Sequence, residues 1–102
     1  MDARLPAVLT EIRSLLDAPA DAAPPSRALV EDTLTTGYAY ALGLDGERLR
    51  IERHLRELFR GDRSPRARSE EANRLTGLLA QVDQELAGLR ALLSSLRAQL
   101  RS

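Results

Sequence analysis

At 102 residues the chain has room for one domain and no more. Apolar residues make up 43%, but aromatics only 3%, with Tyr38, Tyr40 and Phe59 the whole supply. A core made of Leu and Ala suits helices stacked along their length better than a compact aromatic-filled centre. Fifteen Arg, no Lys and fifteen acids leave a formal charge of zero, so no global field favours nucleic acid, and the lack of Cys excludes disulfides and thiolate metal sites.

Residues 1–16 hold the first element. Leu5, Val8, Leu9, Ile12, Leu15 and Leu16 recur at helical spacing and make an amphipathic helix of roughly three turns, with Pro6 at an early position where its missing N–H costs nothing. A helix this short needs something to dock on. Residues 17–25, Asp17 to Pro25, carry three prolines in nine residues without periodicity and read as an extended, semi-rigid linker. The expected helical domain spans 26–102, with a helix over 26–60, a tip at 61–65 and a second long helix over 66–101.

Ser26 is a plausible N-cap for the first long helix. Val30, Leu34, Ala41, Leu44, Ile51, Leu55 and Leu58 keep one seven-residue phase along it. Gly37, Gly43 and Gly46 each weaken a helix by about 1 kcal/mol relative to Ala, and the competing reading has Asp45 cap a fresh helix after a break there. The phase survives across Gly43 and Gly46, which a loop would scramble, so the expectation is one continuous helix.

Ser64-Pro65 is a second start signal, and the strongest pattern follows it. Ala72, Leu79, Leu86, Leu93 and Leu100 fall seven apart, and Leu75, Val82, Leu89 and Leu96 fall seven apart between them. An a/d seam sustained over four heptads predicts a coiled-coil helix. The assembly seam is therefore Leu75, Leu79, Val82, Leu86, Leu89, Leu93, Leu96 and Leu100. The short connection implies an antiparallel hairpin folded near Pro65, pairing Leu58 with Ala72, Ile51 with Leu79, Leu44 with Leu86 and Leu34 with Leu96.

The hairpin leaves apolar residues over. Tyr38, Leu42 and Leu49 form a second stripe on the first long helix, and Leu78 and Leu92 widen the seam of the other into bundle patterning. These five are the candidate partner surface. Either the first helix folds back to cover them, or a second copy pairs with the hairpin; the reading favours the second copy. The expected fold is all-α: a long antiparallel coiled-coil hairpin plus a short N-terminal helix, completing a dimeric four-helix bundle. Glu85 and Arg90 would sit at g and e positions able to pair between parallel copies.

Charge is uneven. Residues 1–47 carry three Arg and eight acids, residues 48–68 eight Arg and three acids, and the remainder four of each. Arg56, Arg60, Arg63, Arg66 and Arg68 cluster at the hairpin tip as a candidate anion-binding site, against the plainer reading of a solvated face in which Glu52 and Glu57 pair with neighbouring Arg48, Arg53 and Arg56. No aromatics interleave for base stacking, so nucleic acid is a minor expectation. His54 is alone and lacks a second ligand at helical spacing, and Arg60-Gly61-Asp62 matches an adhesion tripeptide of the kind that recurs by chance. Nothing resembles a phosphate loop, paired catalytic carboxylates or a nucleophile beside a base. No enzyme activity, cofactor, metal or small-molecule substrate is expected. Without an apolar leader or membrane-length segment, the expected location is cytoplasmic. The functional expectation is a structural or adaptor protein acting through helix–helix contact as a homodimer or subunit. The tethered first helix is a candidate docking peptide, with peripheral membrane contact a lesser role for it.

Overall fold

Three serine- and proline-marked segments become three helices because their apolar spacing is helical throughout. In a computed structural model, residues 4–19, 21, 23–61 and 64–101 are described. They form α1 (Arg4–Leu16), α2 (Arg27–Leu58) and α3 (Pro65–Gln99), with no strand among the described residues. Ser26 caps α2 by accepting from the Leu29 backbone N–H at 3.1 Å, and Ser64 caps α3 by accepting from Ala67 N–H at 3.2 Å. Each satisfies one of the otherwise unpaired donors of a first turn. Pro65 is itself helical, starting α3 one residue earlier than expected, since a first-turn position needs no N–H from it. At the other end of the hairpin arm α2 stops at Leu58, short of residue 60, where the Arg60 N–H turns back to the Glu57 carbonyl at 3.0 Å.

Helix α2 runs without interruption through Gly43 and Gly46. Ala41 and Leu44 are buried on its inner face there, and this packing outweighs the weak propensity of the glycines. Helices α2 and α3 lie antiparallel, and their 32 and 35 residues make a rod of 62 × 21 × 18 Å. The radius of gyration is 18.3 Å, well above the roughly 13 Å of a compact chain this long.

The close approach of Gly37 to Leu93 sets the register. A Cβ at Gly37 would lie 2.3 Å from Leu93 Cδ2, so the leucine fills the space a side chain would need. Gly37 is three residues along from Leu34 and Leu93 three back from Leu96, so this contact belongs to the pairing the heptads predict. A missing side chain on one helix is matched to a large one on the other.

Helix α1 departs from expectation. It folds back onto both α2 and α3 and buries Leu5, Val8 and Ile12 in the same core as the hairpin leucines. Ile12 is 0% exposed, as are Leu89 and Leu96. Two helices touch along one line and leave their seam open on both flanks; a third helix in the groove closes one of them. The linker doubles the chain back so that α1 reaches that groove. The apolar stripe of α1 is thus used inside the molecule, which corrects its reading as a free docking peptide or membrane contact.

Two substitutions test the packing by urea denaturation. Gly43→Ala, with nothing within 4 Å of the new Cβ, should stabilise by about 0.5–1 kcal/mol, whereas Gly37→Ala should lose that gain to overpacking of about 1–3 kcal/mol against Leu93. Ile12→Ala should cost about 2–5 kcal/mol if α1 is part of the cooperative core; a change near zero would show that α1 is not held there.

Candidate functional site

The seam residues are placed inward. Leu75, Val82, Leu86, Leu89, Leu93 and Leu96 are buried, while Leu79 and Leu100 are partly exposed. Thr33, Tyr40, Leu78 and Leu92 all fall on one flank of the α2–α3 seam by heptad position. Helix α1 occupies the open-end half of that flank: Thr33 is buried and donates its hydroxyl to Glu11 Oε1 at 3.2 Å, tying α2 to α1. Tyr40 and Leu92 are packed against the core on the same side. Leu92, a residue of the expected partner surface, is thus partly buried. Leu78 lies four turns nearer the tip, about 21 Å along α3, and remains exposed because α1's 13 residues span only about 20 Å.

Tyr38, Leu42 and Leu49 point elsewhere. At 100° per residue they share a narrow sector of α2 turned away from α1, and they are 44%, 74% and 56% exposed. The five residues grouped in the sequence are thus divided between a flank of α3, with Leu78 and Leu92, and an outward face of α2. Phe59, just after α2, is a further exposed apolar residue that heptad reasoning passed over, because it stands beside the seam position Leu58.

The outward face continues in charge. Arg53 and Arg56 fall in the same sector as Leu42 and Leu49 and are exposed, and Arg60, also exposed, lies in the turn after α2. Glu31 falls in that sector at the other end, held by Arg27 Nε at 2.9 Å across one helical turn. From open end to tip this face carries an ion pair, then the apolar row, then two arginines. The expected cluster of tip arginines is correspondingly thinned. Arg66 pairs with Glu70 at 3.3 Å, and Arg68 reaches the Gly61 carbonyl at 3.4 Å, so both are engaged locally. Arg63, and Asp62 of the tripeptide, lie outside the described residues.

Other charges clamp the hairpin. Arg48 Nε stands 2.9 Å from Asp83 Oδ1 on α3 and 3.2 Å from Glu52 on its own helix. Arg90 Nη2 donates to Asp45 Oδ2 at 2.6 Å, again from α3 to α2. Arg90 is thereby used within the chain rather than with a parallel copy, because antiparallel packing brings these flanking positions of α2 and α3 face to face. Glu85 accepts from Gln81 Nε2 at 3.3 Å. Glu71 pairs with Arg74, and that hydrogen bond and charge hold the guanidinium above its ordinary pKa.

An open cleft of about 540 Å³ lies at the open end, between Leu15 and Leu16 of α1, the linker prolines and Leu100. Among the described residues, Arg27 is the one charged residue in its lining. His54 is exposed beside Glu57 and Gly61. Among the described residues no group of three or more His, Cys, Asp or Glu is placed to hold a metal, and no helix is long and apolar enough to cross a membrane.

The Arg90–Asp45 pair is half-exposed, so a double-mutant cycle with Arg90→Ala and Asp45→Ala should give a coupling below about 1 kcal/mol that fades in high salt. A larger, salt-independent coupling would mean that the pair carries the hairpin register itself. Comparison with protein families, with curated proteins and with solved structures finds no match to this chain.

Proposed function

We propose that this protein is a non-enzymatic helical interaction module, a structural or adaptor protein that works by docking the outward face of α2 against a helix of a protein partner, as a homodimer or as a subunit of a larger assembly. The observation that carries this reading is the exposure of Leu42 and Leu49 in mid-helix, two turns apart on one face, beside Tyr38. Scattered exposed leucines are ordinary on protein surfaces, but an aligned aromatic and two leucines on a rigid helix make an i, i+4, i+11 row of the kind a partner helix covers. Rigidity helps: α2 is braced by α3 along its length and by α1 at one end, so docking requires little ordering of the α2 backbone.

A second reading has a specific observation behind it. Arg53 and Arg56 are exposed on one face of α2 near the tip, with Arg60 exposed just beyond its end, and a regulatory module could grip a nucleic-acid backbone or another anion there. Salt separates the two. Capture of partners from the native cell should survive moderate salt and be lost with Leu42→Asp or Leu49→Asp, both of which should leave helix content and melting temperature unchanged. Steep loss of capture between low and moderate salt, together with loss in Arg56→Ala and Arg60→Ala but not in the leucine variants, would replace the first reading with the second.

A further inference from the structure

The charged flank of the hairpin follows a repeat, and the repeat breaks. Arg90 on α3 donates to Asp45 on α2 at 2.6 Å. In an antiparallel, heptad-matched pair, seven residues on along one helix and seven back along the other lead to the next facing positions. From Arg90 and Asp45 those are Arg97 and Tyr38. A tyrosine thus stands where the ladder calls for a carboxylate, and both residues line one cleft of about 240 Å³. Arg90, Ser94, Ala98 and Arg101 complete its lining, which among the described residues holds no carboxylate. Arg90, Ser94 and Arg97 share one face of α3 at 100° per residue. Arg101 stands in the turn that closes the helix, its N–H held by the Ala98 carbonyl at 3.1 Å. Arg97 and Arg101 are exposed, and neither is ion-paired among the described residues.

We propose that this cleft is a binding site for a phosphate monoester, held by the guanidinium groups of Arg97 and Arg101 with the Tyr38 and Ser94 hydroxyls as further donors. Arginine at a helix C-terminus is ordinary, since the unpaired carbonyls there carry a partial negative charge. That charge is only about half an electron, however, and two guanidiniums stand against it. Arg90 is already answered by Asp45. About one and a half positive charges are left over, which a carboxylate would match in part and a phosphate monoester, at roughly −1.5 to −2 near neutrality, matches in full. Arginine forks also offer paired N–H groups to phosphate oxygens. A carboxylate at position 38 would take Arg97 for itself and repel the ligand, whereas a phenol keeps the site polar and uncharged.

The cleft is also braced. Gly37, the residue before Tyr38, is where α2 meets Leu93 of α3 most closely, so the two walls are fixed relative to each other beside the site. Little ordering of the backbone is then needed on binding. The site is separate from the tip arginines, because Arg56 lies eighteen residues along α2 from Tyr38, about 27 Å away.

Titration of the full chain with phenyl phosphate at constant ionic strength, followed by heteronuclear NMR including the arginine side-chain N–H signals, tests this. Saturable shifts should appear at Tyr38, Ser94, Arg97 and Arg101 with a dissociation constant of about 0.1–1 mM, and benzoate should bind several-fold more weakly. Arg97→Gln and Arg101→Gln should each weaken phosphate binding several-fold, while Arg56→Gln and Leu42→Asp leave it unchanged. Tyr38→Asp, which restores the ladder, should abolish binding with helix content and melting temperature intact. Equal affinity for benzoate, an equal loss in Arg56→Gln, undiminished binding by Tyr38→Asp, or no saturation would each overturn the proposal. Phosphatidylcholine vesicles carrying phosphatidate, whose headgroup is a phosphate monoester, distinguish the source. Co-sedimentation that Arg97→Gln removes assigns the site to a lipid headgroup, and binding of phenyl phosphate without co-sedimentation assigns it to a soluble ligand.

Discussion

The leucine stripe of α3 must be covered, and one partner helix is not wide enough to cover it. That constraint organises the molecule. Helix α2 supplies the facing side of the seam, with Gly37 making room for Leu93. The remaining flank is filled at the open end by α1, whose Leu5, Val8 and Ile12 complete a three-helix section. Where that third helix is present, Leu89, Leu93 and Leu96 are essentially solvent-free; toward the tip, where two helices stand alone, Leu55 and Leu79 remain partly exposed. The rod is thus a three-helix bundle for half its length and a two-stranded hairpin for the rest.

This division gives the surface its character. At the open end, polar contacts serve to lock α1 in place, as in the buried Thr33 hydroxyl donated to Glu11. Toward the middle, ion pairs from Arg48 to Asp83 and from Arg90 to Asp45 close the flank opposite α1. These pairs are partly exposed and contribute little stability individually, but they occupy charges that would otherwise be free for a partner. What remains uncommitted is the outer face of α2, where Leu42 and Leu49 are exposed and Arg53 and Arg56 share their sector.

The chain shows how far periodicity reaches and where it stops. Heptad spacing was enough to read two long antiparallel helices and their register, since the phase of Leu34, Leu44 and Leu58 against Leu96, Leu86 and Ala72 admits few alternatives once the connection is short. Continuity through Gly43 and Gly46 was legible for the same reason: an unbroken phase outweighs local propensity. The fate of Leu92 was not legible. Leu78 and Leu92 occupy equivalent heptad positions, yet one is exposed and the other partly buried against the core, a difference no local pattern records. The contact of Arg68 with the Gly61 carbonyl was not legible either, because it exists only once the turn is formed.

The sequence by itself determined the helices, their caps at Ser26 and Ser64, the antiparallel seam and the outward stripe of α2, because each depends on residues a few positions apart or on a repeat that counts turns. Only the tertiary structure decided that α1 lies in the groove, that one of the two surplus leucines of α3 is partly buried, and that the surplus residues of α2 and α3 face different directions. Docking of a short helix through a proline-bearing linker depends on the shape and depth of a groove made by two other elements, and that information exists only after those elements have packed.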